Sequence, residues 1–85
     1  MTKSVFTPAY RLFLRALICA RHDANLTQTI LAQRLKKPQS YVSKYESGER
    51  RLDVIEALDI LRVLNQKPAD FFTDLEAVLP PDSLD

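Results

Sequence analysis

Eighty-five residues with one Gly, five Pro and 46% hydrophobic side chains suffice for a single domain around one core, and are too apolar for a disordered chain. The composition favours helices with short connections over a sheet with tight turns, and a single Cys and a single His exclude an intramolecular disulfide and a zinc-type ligand cluster, so no metal or cofactor is expected. The net charge of +1 hides a gradient, with +3 over residues 1–26, +4 over 27–51 and −6 over 52–85, so that one part of the chain can face a polyanion while the other faces away.

The first helix is expected over 8–24. Pro8 suits a first turn, where its missing N–H leaves no bond unmade. Leu12, Phe13, Ala16, Leu17 and Ala20 recur at helical spacing and make one apolar face. Cys19 reads as a packing residue of this helix, and His22 as an exposed residue near its negative end. Asn25 is the stop, because Asn tolerates the left-handed conformation that ends many helices. Thr27 then caps a second helix, Gln28–Leu35, on which Leu31, Ala32 and Leu35 share a face and Ile30 points away from it. After the turn Lys36-Lys37, Pro38 opens a third helix that runs through Ser47 and stops at Gly48, where a positive φ costs no strain. Asp53-Val54-Ile55-Glu56 has the form of a capping box and opens a fourth helix, with Ile55, Leu58, Leu61 and Leu64 as its buried stripe and Asn65 as its stop. Pro68 opens a fifth helix, apolar at Phe71, Phe72, Leu75 and Val78, and Pro80-Pro81 ends it. No strand and no repeat is visible. The expected fold class is all-α, a compact five-helix domain over 1–79 with a short disordered tail over 80–85.

Two short helices with a three-to-four residue turn make a helix-turn-helix over about 27–48. The stretch from Thr27 to Gly48 resembles the Cro/lambda-repressor family, also called the XRE family, and the resemblance runs from roughly Arg11 to Phe72. It implies a lambda-repressor-like fold and a DNA-binding transcriptional regulator. The packing logic supports it independently. The second helix must approach the third closely, and small Ala32 stands in its middle. Leu31, Leu35 and Val42 plug the angle between the helices and Tyr45 extends that core, each burial worth about 1.5–3 kcal/mol. The chain departs from the family where Lys36 and Lys37 replace a Gly and an apolar residue, where Pro38 replaces a Ser or Thr cap, and where Asn25 and Asn65 stand in place of Gly.

On the third helix, Val42, Tyr45 and Glu46 fall on one side and Gln39, Ser40, Ser43 and Lys44 on the other, with no large apolar group among the latter. A polar face of amide, hydroxyl and ammonium groups suits base edges in a major groove, so these four are the candidate base contacts. Gln28 opens the second helix, whose unpaired N–H groups favour an anion. The resemblance implies that Gln28 holds a phosphate and braces Gln39, that Tyr41, Arg50 and Arg51 also touch phosphates, and that Arg21 and Glu46 pair to tie the first helix to the third. Lys36 joins the phosphate set by charge and location.

Phe71, Phe72, Leu75, Val78 and Leu79 are more apolar than one short helix needs, and are expected partly to cover the core and partly to meet a second copy about a two-fold axis. The leading expectation is a sequence-specific repressor that binds a palindromic double-stranded DNA operator as a homodimer. The alternative is an antitoxin-type protein that binds a protein partner and also represses its own operon. An enzyme is not expected, since no nucleophile–base pair and no phosphate-cradling Gly-rich loop is present. Asp70, Asp74 and Glu76 read as solvated carboxylates rather than a metal site. No apolar run approaches the roughly 20 residues of a bilayer span, and no signal-peptide stretch opens the chain, so the expected location is the cytoplasm, on the nucleoid when bound.

Overall fold

The computed structural model describes residues 7–80, and within them the helix ends follow from local chemistry. α1 (Pro8–Asp23) begins where the Thr7 hydroxyl accepts the Tyr10 N–H at 3.1 Å, with Pro8 in the first turn. α2 (Gln28–Leu35) begins where the Thr27 hydroxyl accepts the Ile30 N–H at 3.1 Å. α3 (Gln39–Ser47) follows Pro38, which caps it without a side-chain bond. α4 (Val54–Val63) opens with a complete capping box, in which Asp53 accepts the Glu56 N–H at 2.7 Å and Glu56 accepts the Asp53 N–H at 3.0 Å. α5 (Pro68–Val78) again starts on a proline. Residues 81–85, most of the expected tail, lie outside the described residues.

Three helices end in the same way, on a left-handed residue that is not glycine. Asn25, Lys36 and Asn65 have φ near 60° (60°, 60° and 63°). In each case the next residue's N–H reaches back to the carbonyl five positions earlier: Leu26 to Arg21, Lys37 to Ala32, Gln66 to Leu61. This satisfies the last carbonyls of each helix. Asn visits this region with little penalty, whereas Lys carries the full Cβ clash. Gly48, at φ 90°, takes the fourth such position.

The core is one cluster drawn from all five helices. Leu17, Leu31, Val42, Tyr45, Ile60 and Leu61 are fully buried at its centre. α2 packs against α3 and α4, α1 against α3 and α5, and α4 against α5. Phe13, Phe71 and Phe72 make the seam between α1 and α5: Phe71 meets Phe13 edge-on at 6.4 Å and Phe72 at 5.2 Å, while Phe72 stacks on Phe13 at 6.4 Å.

The structure corrects the expected stripe of α4. Ala57, Ile60, Leu61 and Leu64 are buried, Leu58 is half-buried, and Ile55 is 64% exposed. The expected set steps by three residues each time. At ~100° per residue, each step slips by about 60°, and three steps carry Ile55 to the side of the helix opposite Leu64. The observed set, spaced 0, +3, +4 and +7, stays on one face. In α1, Leu14 joins Leu17, Ala20 and Arg21 on the buried side, Leu12 is only half-buried, and Cys19 is exposed rather than packed. No helix among the described residues is long and apolar enough to cross a membrane.

Candidate nucleic-acid interface

α2 and α3 are locked at a fixed angle by apolar contacts. Ala32 and Leu31 of α2 and Val42 and Tyr45 of α3 are all buried in the core cluster that the two helices share. The outer side of α3 is what this packing leaves over. Gln39, Ser40 and Lys44 are exposed there, and Tyr41 and Ser43 are half-buried. The Ser43 hydroxyl donates to the Ser40 carbonyl at 3.2 Å, so its proton is committed within the helix and its lone pairs remain available as acceptors.

A continuous polar relay runs from the interior to the start of α3. Arg21 on α1 grips Glu46 on α3 with two bonds, Nε to Oε2 at 2.7 Å and Nη2 to Oε1 at 3.0 Å. Its remaining nitrogen, Nη1, donates to the Leu26 carbonyl at 2.9 Å, which binds the α1–α2 link into the same cluster. The two side chains are 10% and 6% exposed, and the paired guanidinium is held charged beyond its ordinary range by the hydrogen bond to Glu46. Gln28 at the first position of α2 donates from Nε2 to Glu46 Oε1 at 2.8 Å. Gln39 at the first position of α3 donates from Nε2 to Gln28 Oε1 at 3.1 Å.

The direction of this relay is dictated by its inner end. A carboxylate only accepts, so Gln28 must turn its NH2 toward Glu46 and its carbonyl toward Gln39. Gln39 must then turn its own NH2 toward Gln28. One N–H and the carbonyl oxygen of Gln39 are left for another partner, with the amide orientation already chosen.

A second cluster lies beside α3. The Tyr41 ring carries two cations on it, Arg50 at 4.9 Å and Lys37 at 5.2 Å from the ring centre. Arg50 forms a two-bond fork with Glu56, Nη1 to Oε1 at 3.1 Å and Nη2 to Oε2 at 2.7 Å. Arg51 lies over the Tyr10 ring at 4.2 Å, and the Tyr10 hydroxyl accepts the Leu52 N–H at 3.1 Å. The Arg50 hydrogen bonds, and then the Asp53 N–H, hold the Glu56 carboxyl below its ordinary pKa. Burial, followed by the Glu56 charge, raises that of the Tyr41 hydroxyl. Lys36 is exposed in the turn before α3.

The structure thus brings Gln28, Gln39, Ser40, Ser43, Lys44 and Tyr41 onto or beside one helix, joins Arg21 to Glu46, and places Arg50 at the edge of the same surface. The candidate dimer set is divided. Phe71 is buried in the core, Leu75 and Leu79 are half-buried, and Phe72 and Val78 are exposed, Val78 to 61%. Val54 at 69% and Ile55 at 64% are the most exposed large apolar side chains among the described residues, and the sequence pattern does not mark them as such. It also leaves out Lys37 and Glu56 as neighbours of Tyr41 and Arg50. Glu56 announces itself only through the capping box, and nothing local signals its bond to Arg50 six residues earlier.

A surface cavity of about 610 Å³ lies between α1 and the end of α3, walled in part by Leu12, Leu14 and Ile18. Its one hydroxyl, on Ser47, donates to the Lys44 carbonyl at 3.1 Å. Among the described residues no three His, Cys, Asp or Glu side chains gather where they can hold a metal ion.

Residues 20–72 match the helix-turn-helix family. A solved structure, an XRE-family like protein from Pseudomonas syringae pv. tomato, is 47% identical and superposes with a TM-score of 0.80, covering 85% of this chain and 88% of its own. No curated protein matches the chain.

Proposed function

The chain belongs to the XRE family of helix-turn-helix DNA-binding regulators, and from that premise we propose that it is a sequence-specific repressor that lays α3 in the major groove of a palindromic operator. The observation that carries this reading is the relay from Arg21 through Glu46 and Gln28 to Gln39, which sets the amide of the first recognition-helix residue before any duplex arrives. The N–H and carbonyl left open on Gln39 match the N7 acceptor and N6 donor of adenine. Ser40, Ser43 and Lys44 complete the base-reading set. Gln28, Lys36, Tyr41, Arg50 and Arg51 fix position on the backbone without reading sequence. Repression follows from occupancy, because a bound domain obstructs polymerase. No catalytic role is assigned.

The protein acts as a homodimer, since a palindromic site mirrors a two-fold axis. The exposed apolar side chains available for that contact are Val78 and Phe72 on α5, and Val54 and Ile55 at the start of α4. The antitoxin reading draws on these same uncovered side chains, and a stable heterologous partner co-purifying from the native host favours it over the homodimer. Selection of binding sites from random duplexes tests the proposal. Two inverted half-sites about one helical turn apart support it, and recovery of no common sequence refutes it.

A further inference from the structure

Arg50 is not simply a cation displayed beside α3. Its fork is already closed on a carboxylate, with nitrogen–oxygen distances of 3.1 and 2.7 Å. A guanidinium fork fits carboxylate and phosphate alike, so an anion inside the chain already occupies one of the edges open to a backbone phosphate, the one between Nη1 and Nη2. We propose that Glu56 is an internal competitor for the phosphate contact of Arg50, and that it sets how tightly and how salt-sensitively the chain binds DNA. This deepens the DNA-binding reading and rests on it.

Three features place Glu56 in that role. Its carboxylate does not depend on Arg50 for its position, because it also accepts the Asp53 N–H at 3.0 Å in the capping box and sits in the first turn of α4, where the positive helix end favours it. The negative charge therefore stays in place when Arg50 leaves. Arg50 in turn is held against the Tyr41 ring, at the margin of the α3 surface, where Lys37 adds a second cation on the same ring. Finally, the pair is open to solvent, with the Arg50 side chain 43% exposed, and exposed pairs of this kind contribute little to folding. Its effect is therefore expected in binding rather than in stability. A glutamate carboxyl is ionised in the neutral range at its ordinary pKa, and the bonds from Arg50 and the Asp53 N–H lower it further.

The capping box also provides a clean test, because Gln serves at this position as well as Glu. Glu56→Gln removes the charge and keeps the reach to the Asp53 N–H. Phosphate contacts are independent of sequence, so a mixed-sequence duplex is a sufficient probe. Binding is measured by fluorescence anisotropy across a salt series for the wild type, Glu56→Gln, Arg50→Ala and the double variant, with thermal melts alongside. The expected result is an unchanged melt and several-fold tighter binding of Glu56→Gln at low salt. Its log–log salt slope should be steeper, by a part of the roughly 0.9 that one phosphate-contacting cation contributes, because Arg50 is freed from competition for its contact. In the Arg50→Ala background the same substitution should give a much smaller gain.

Equal or weaker binding by Glu56→Gln, with the wild type binding normally, overturns the inference and leaves the DNA reading intact. So does an equal gain with and without Arg50, which is a general charge effect. A wild type with no salt-sensitive binding at all overturns the DNA reading, and this inference falls with it.

Discussion

The two sides of α1 add different contacts to the apolar core they share. Toward α2 and α3 the added contact is polar and directional, with Arg21, Glu46, Gln28 and Gln39 joined by bonds of 2.7 to 3.1 Å. Toward α5 it is aromatic and apolar, built on Phe13, Phe71 and Phe72. Apolar burial fixes how close two helices lie but not which way a polar group points. A hydrogen-bonded chain anchored on a buried carboxylate fixes direction as well. The side that must hold a side chain in one orientation uses the second device, and the side that needs only to stay closed uses the first.

Breaking each side separately sharpens this contrast. The largest effect is expected for Arg21→Ala, which leaves the Glu46 carboxylate buried without its cation and should cost about 3–5 kcal/mol of stability in denaturant titration. A loss below about 1 kcal/mol contradicts a buried, directional anchor. Phe71→Ala opens a cavity in the apolar seam and should cost about 3 kcal/mol, yet leave the sequence preference of the folded protein unchanged. A shift in preference at equal folded concentration means that the two sides are not independent.

Smaller effects come from single positions on the α2–α3 side. Lys36 holds a left-handed φ of 60° that Gly adopts without penalty, so Lys36→Gly should raise stability by about 0.5–1 kcal/mol. If Lys36 also meets a phosphate, the same variant should bind duplex DNA with a salt slope shallower by about 0.9. Stability up and slope down in one protein separates the two roles, and an unchanged slope removes Lys36 from the phosphate set.

The Tyr45 hydroxyl is buried with no hydrogen-bond partner. Tyr45→Phe removes that orphan and should leave the melt equal or higher by about 1 kcal/mol of stability, whereas a loss of that size reveals a hidden partner. Burial, and next the Glu46 charge, push the Tyr45 hydroxyl above its ordinary pKa of 10.0 in the folded chain. The unfolded chain therefore releases this proton first, so wild-type stability should fall as pH rises above about 10 and be unaffected by this group below it. Tyr45→Phe should flatten that part of the profile.

Much of this fold is legible because its signals are local. Asn25, Asn65 and Gly48 sit at the left-handed ends they were expected to occupy, and Thr27 and Asp53 cap the helices that follow them. A cap depends on residues three to five positions apart, which a sequence displays directly. The rotation of α4 was harder to read, because an unbroken +3 ladder looks periodic while it slides around the helix, and Ile55 falls out of the core for that reason. Glu56 was harder still. Its capping role is local, but its grip on Arg50 depends on how the α3–α4 loop folds back, and no spacing rule encodes that. The outer side of α3 was legible for the opposite reason. Val42 and Tyr45 claim one side so completely that the polar remainder has only one way to face.

The most direct measurement compares Gln39→Ala with the wild type on a selected preferred duplex and on a scrambled one. With Gln39 held outward by the relay and reading a base, the substitution should cost about 1–3 kcal/mol on the preferred duplex and little on the scrambled one. Equal losses on both, or none on either, contradict it.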